Sequence, residues 1–127
     1  MTRPDVEVAI VGAGAAGLYL GALLATQGVD VRLLEARREP TRHSRAIGVH
    51  PPGLRALAAV GAAEPLIARG VRVRRGHAFA GDRRGRVRRL GTLDFEATLP
   101  DPHRFVLTVP QHETERVLEE RLAALAP

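Results

Sequence analysis

Residues Gly12-Ala13-Gly14-Ala15-Ala16-Gly17 follow directly on a β-branched apolar run (Val6, Val8, Ile10, Val11) and lead straight into a helical pattern. No other spacing in the chain restricts its fold as much. Gly12 permits a tight turn, Gly14 puts no Cβ between the backbone and a ligand, and Gly17 lets the following helix pack close against the strand. A second apolar run, Val29 to Leu34, comes after Gly28 and ends on Glu35, 23 positions beyond Gly12.

The order strand, glycine turn, helix, Gly28 as helix stop, strand, acid predicts a βαβ unit that binds a dinucleotide. The helix start aims free N–H groups and the positive end of its dipole at one point, where a pyrophosphate is stabilised. Glu35, at the carboxyl end of the second strand, can accept both ribose hydroxyl protons, and the fingerprint asks for an acid about 20 positions on. The glycines alone would be a weak signal; the elements in register around them make it strong. A membrane reading competes over Val8 to Ala25, which carries no charge and contains Gly17 and Gly21 in a GxxxG match. Glycines crowd the middle of that run, the acids Asp5 and Glu7 stand where a basic lead is required, and no small-residue cleavage site follows. The expectation is therefore no membrane partner.

A chain of 127 residues has room for one domain with a core. It has no cysteine, which excludes disulfides, thiolate metal sites and a cysteine nucleophile and points to a cytoplasmic setting; no metal site is predicted. The net charge of +5 raises nucleic-acid binding, yet all 19 basic residues are Arg, a bias of the whole chain rather than of one surface. Only Tyr19, Phe79, Phe95 and Phe105 could serve a stacking platform, so no nucleic-acid partner is expected.

The pattern from Ala15 to Gln27 predicts a helix buried on most of its circumference, with Leu18, Ala22 and Ala25 flanked by Leu20, Leu23 and Leu24. The polar stretch after Glu35 reads as a loop, in which Arg45, just before Ala46-Ile47-Gly48-Val49, is better held to reach a ligand than Arg37, Arg38 or Arg42. Pro51-Pro52 opens a helix with Leu54, Leu57, Ala58 and Val60 inward and Gly61 as its stop, and a short helical turn over Ala63 to Ile67 follows. Val71 and Val73, then Val87, Leu90 and Leu93, alternate with arginines as half-buried antiparallel strands, with the hairpin turn at Gly81 to Gly85. A strand over Phe105 to Val109 ends at Pro110. The last helix begins near Gln111, with Val117, Leu118, Leu122 and Leu125 inward and Glu113, Glu115, Arg116, Glu119, Glu120 and Arg121 on its other faces.

Three segments, GAGAAG with Glu35, SRAIGVHPPGL with Arg45, and FVLTVPQHETERVLEERL with Gln111, run in order along the chain. In these the sequence resembles the FAD-dependent monooxygenases of the aromatic-hydroxylase type, relatives of para-hydroxybenzoate hydroxylase. The resemblance implies an α/β fold: a Rossmann-like FAD-binding βαβ of the GR2 type, with the start of an antiparallel substrate-domain sheet. Residues 1–127 would be a partial FAD-binding domain, with the strands of 71–109 belonging to the substrate sheet. It implies that Gly12, Gly14 and Gly17, with Ala15 and Ala16, hold the pyrophosphate. Glu35 and the adjoining Ala36 would take the adenosine ribose, Arg45 the diphosphate and neighbouring sugar, and Gln111 the ribityl chain. Read without the family, Gln111 is only a helix-start residue. His43, His50 and His112 match no catalytic role.

In this family FAD carries the chemistry, NAD(P)H is a transient reductant, oxygen is consumed, and a small, usually aromatic, substrate is hydroxylated; the protein orients the flavin and keeps the site dry. Glu35 would repel a 2′-phosphate and so argues against NADP in the main site. The family continues past Pro127 with a parallel strand and a Gly-Asp segment, so the chain is expected to be an amino-terminal fragment that binds FAD weakly and is inactive alone. Competing readings are another FAD-dependent oxidoreductase (a halogenase or geranylgeranyl-reductase-like enzyme), an NAD-dependent dehydrogenase, and a non-catalytic binding fragment. The dehydrogenase would continue in βα units after Glu35, where this chain turns to a hairpin.

Overall fold

In a computed structural model of the chain, residues 6–38, 48–100 and 102–126 are described. Strand β1 (Val8–Val11) lies parallel to β2 (Val31–Leu34), with Val8 opposite Val31 and Val11 opposite Leu34, and α1 (Ala15–Thr26) makes the crossover. β-branched and leucine residues fill these short strands, and Gly28 ends the helix at φ +77°, a conformation that costs a glycine nothing.

A second, antiparallel sheet has β7 (Val106–Thr108) at its centre, with β3 (Gly48–Val49) on one side and β4 (Val71–Val73) on the other. Helices α2 (Pro51–Ala59) and α3 (Ala63–Ile67) fill the connection between β3 and β4. Pro51 and Pro52 stand in the first turn, where a missing N–H is harmless. The last helix, α5 (Gln111–Leu125), packs on α1. The core lies where these helices meet β7: Leu18 and Ala22 of α1, Leu54 and Leu57 of α2, Leu66 of α3, Leu107 of β7, and Val117 and Leu118 of α5 are all buried.

Three expectations are corrected. First, α1 is not buried on most of its circumference: within it only Leu18, Gly21 and Ala22 are buried and Leu20 is 43% exposed, because its main cover is the β1–β2 pair and α5. Second, the strands of 71–109 divide between two sheets: β4 joins β7, while β5 (Arg75–Gly81) and β6 (Val87–Asp94) form a separate hairpin. That hairpin is exposed rather than half-buried. Phe79, Val87, Leu90 and Leu93 stand in solvent because the two strands pair with each other and, among the described residues, their main neighbour is α4 (Phe95–Thr98). Third, Glu115 does not share the solvated faces of α5 but is buried beside Val117 and Leu118. No helix among the described residues is long and apolar enough to cross a membrane.

Candidate functional site

The glycine turn is built as its spacing demands. Gly12 has φ +109°, which residues with a Cβ rarely adopt, and its N–H donates to the Leu34 carbonyl at 2.7 Å, tying the turn to the end of β2. A Cβ on Gly17 would lie 1.9 Å from the Gly12 carbonyl oxygen, so this position takes glycine because the helix crosses the turn at contact distance. Gly14 caps α1 in extended geometry without a side-chain acceptor, and the first bond of the helix runs from Leu18 N–H to Gly14 O at 3.0 Å. The N–H groups of Ala15, Ala16 and Gly17 therefore have no partner within the helix. A Cβ added to Gly14 would meet nothing within 4 Å. Open space in front of uncapped N–H donors is what an anionic group laid on a helix start requires, so these residues fit a pyrophosphate.

Glu35 stands at the end of β2, beside this turn, with Ala36 exposed next to it. Its Oε2 accepts from Ala13 N–H at 2.8 Å and from Arg37 Nη2 at 3.1 Å; its Oε1 accepts from Arg37 N–H at 2.8 Å and Arg37 Nε at 3.2 Å. The Arg37 side chain foremost, then the two backbone N–H groups, hold its carboxyl down at about 2. Glu35 in turn keeps Arg37 firmly protonated, with a smaller attraction from Glu115.

Helix α5 supplies the facing wall. Gln111 is its first residue, and its Nε2 donates to Glu115 Oε1 at 2.9 Å. Ala13, Leu33, Glu35, Arg37, Glu115 and Arg116 are among the residues around a cleft of about 790 Å³. The structure thus brings Ala13 of the turn, Glu35 and one face of α5 to a single cavity, while Gly12, Gly14, Ala15, Ala16, Gly17 and Ala36 do not line it. Gln111 does not line it directly, and Arg45 lies outside the described residues. Among the described residues no cluster of side chains could hold a metal.

Arg37 and Glu115 were the residues that sequence reasoning passed over. Arg37 ranks below Arg45 in the sequence because Arg45 directly precedes a strand-like segment that would hold it in place; the nearness of Arg37 to Glu35, two positions away, is the available signal. Glu115 precedes Leu118 by three positions and Leu122 by seven, so it stands on the apolar stripe of α5, which a strict reading of the helical period would have caught.

Comparison with known proteins agrees with this geometry. The family model described as FAD binding domain matches residues 5–126. A rifampicin monooxygenase from Streptomyces venezuelae is 40% identical over 119 residues, covering 94% of this chain and 23% of the relative. A 6-methylpretetramide 4-monooxygenase from Streptomyces rimosus is 39% identical over 120 residues, covering 94% of this chain and 21% of the relative. Among solved structures, an anhydrotetracycline hydroxylase from Streptomyces rimosus superposes with a TM-score of 0.76 at 35% identity, over 94% of this chain and 23% of that one. The chain thus spans under a quarter of the length of each. A model matching nearly every residue, on a fold that the hydroxylase shares, means that the chain belongs to the FAD binding domain family.

Proposed function

We propose that this chain is the adenosine-binding part of a flavoprotein monooxygenase that uses NAD(P)H and oxygen to hydroxylate a small aromatic substrate. The observation that carries the reading is the turn from Gly12 to Gly17, with open space above Gly14 and an ionised Glu35 beside it. When bound there, FAD supplies the redox chemistry. The chain supplies the hold. Gly12, Gly14 and Gly17, with Ala15 and Ala16, hold the pyrophosphate, Glu35 with Ala36 receives the adenosine ribose, and Arg45 and Gln111 reach the diphosphate and ribityl chain. In this reading the βαβ unit is of the Rossmann-like GR2 type, and the β5–β6 hairpin begins the sheet of a substrate domain. The protein acts on its small-molecule substrate in the cytoplasm.

The test is the full gene product, purified and scanned for a flavin absorbance band. A yellow protein with one FAD per chain and NAD(P)H oxidation stimulated by an aromatic compound supports the reading. A colourless protein that takes up no added FAD overturns it. Glu35→Ala should weaken FAD binding by about tenfold or more, since hydrogen bonds to a charged group contribute about 1.5–3 kcal/mol.

A further inference from the structure

An ionised carboxylate offers about four lone-pair positions. All four positions on Glu35 have a donor: two main-chain N–H groups, of Ala13 and Arg37, and two from the Arg37 side chain, Nε on Oε1 and Nη2 on Oε2. The main-chain donors are fixed by the turn and by the end of β2. The guanidinium is not; its side chain is 47% exposed. A ribose with free 2′ and 3′ hydroxyls brings two further donors to an acceptor already full.

Resting on the reading of this cleft as an adenosine site, we infer that the Arg37 guanidinium and the two ribose hydroxyls compete for the same two positions on Glu35, and that the displaced guanidinium passes to Glu115. Glu115 is the natural destination. It is 8% exposed and lines the same cleft, and its hydrogen bond comes from a neutral amide, which satisfies an oxygen without neutralising the charge. Of the other basic side chains that line the cleft, Arg116 pairs with Glu120 and His112 stands beside Glu113, and Arg38 lines it as well. Arg37 already feels the Glu115 charge. Arg37 is thus a specificity-setting residue, which makes two vicinal hydroxyls the requirement for opening the acid.

The experiment uses the flavin-free full gene product, titrated calorimetrically with ADP and with 2′,3′-dideoxy-ADP. Arg37→Met keeps the length of the side chain and removes the competitor. It should tighten ADP about two- to fivefold, the range an exposed ion pair spans, and leave the dideoxy compound unchanged. Glu115→Gln keeps an oxygen for the Gln111 amide. It should weaken ADP about two- to fivefold with Arg37 present and have no effect in the Arg37→Met background. Wild-type protein that binds ADP while Arg37→Met does not tighten it overturns the competition and leaves the FAD reading standing. Glu115→Gln weakening both compounds equally, or weakening ADP equally in both backgrounds, removes Glu115 as the destination. Wild-type protein that binds neither ADP nor FAD brings down the reading and the inference together.

Discussion

At Gly17 a single methyl group separates a folded turn from a broken one, because the added Cβ would sit 1.9 Å from a backbone oxygen that cannot swing away. Gly17→Ala should therefore lower stability by at least the ~1–3 kcal/mol typical of overpacking, read from denaturant unfolding. At Gly14 the added Cβ meets nothing, so Gly14→Ala should leave the unfolding curve nearly unchanged and instead weaken nucleotide binding. Two glycines of one motif thus separate a packing role from a ligand role. Glu35 gives a pH prediction at the same scale. Its folded value is about 2, below the ordinary 4.5, held there first by the Arg37 side chain. A depressed carboxyl contributes stability above its unfolded value and loses it as pH falls, so the contribution should be intact above about pH 4.5 and gone below about pH 2. A carbon-detected NMR titration of the Glu35 carboxyl should show that low midpoint, and Arg37→Met should move it up toward 4.5.

Among the elements, β7 is the three-residue strand on which the second sheet depends. Leu107, fully buried at its centre, lies opposite Val49 on one side and Arg72 on the other, and touches the space over Gly70. Leu107→Ala should cost ~2–5 kcal/mol, measured as a fall in the unfolding midpoint, since both neighbouring strands lose their packing partner. Most elements were legible from periodicity, and their ends from Gly28, Gly61 and Pro110, whose φ or missing donor is a local property. What periodicity misjudged were the faces. Helix α1 has apolar residues all round, so the sequence could not tell which side would meet α5. On α5 a charged residue in an apolar register was read by its charge, whereas the amide of Gln111 one turn earlier made its burial tolerable.

For the molecule as a whole, the β5–β6 hairpin is the part least accounted for by its own contacts. Phe79, Val87, Leu90 and Leu93 are between 50% and 70% exposed, with Phe79 and Val87 on one face of the hairpin, and apolar side chains left in water on a two-stranded sheet favour association. The 127-residue chain in isolation should self-associate, and Phe79→Ser with Val87→Thr should raise its monomer fraction in sedimentation without shifting its unfolding midpoint. The cleft is likewise a whole-molecule property. Its walls come from residues near 13, near 35 and from α5, far apart in sequence and joined only by the packing of α1 on α5.

The sequence by itself determined the glycine turn, the helix that follows it and the acid at the end of β2, because each rests on local backbone geometry or on spacing within one βαβ unit, and the resemblance of three segments along the chain pointed to the family. Only the tertiary structure decided which of many arginines and glutamates serve the cleft. Charge patterns along a chain rich in both do not distinguish a solvated side chain from Arg37 on Glu35, or from Glu115 buried opposite the turn. That choice is made when two helices pack and exclude water from one carboxylate while leaving the other within reach of a ligand.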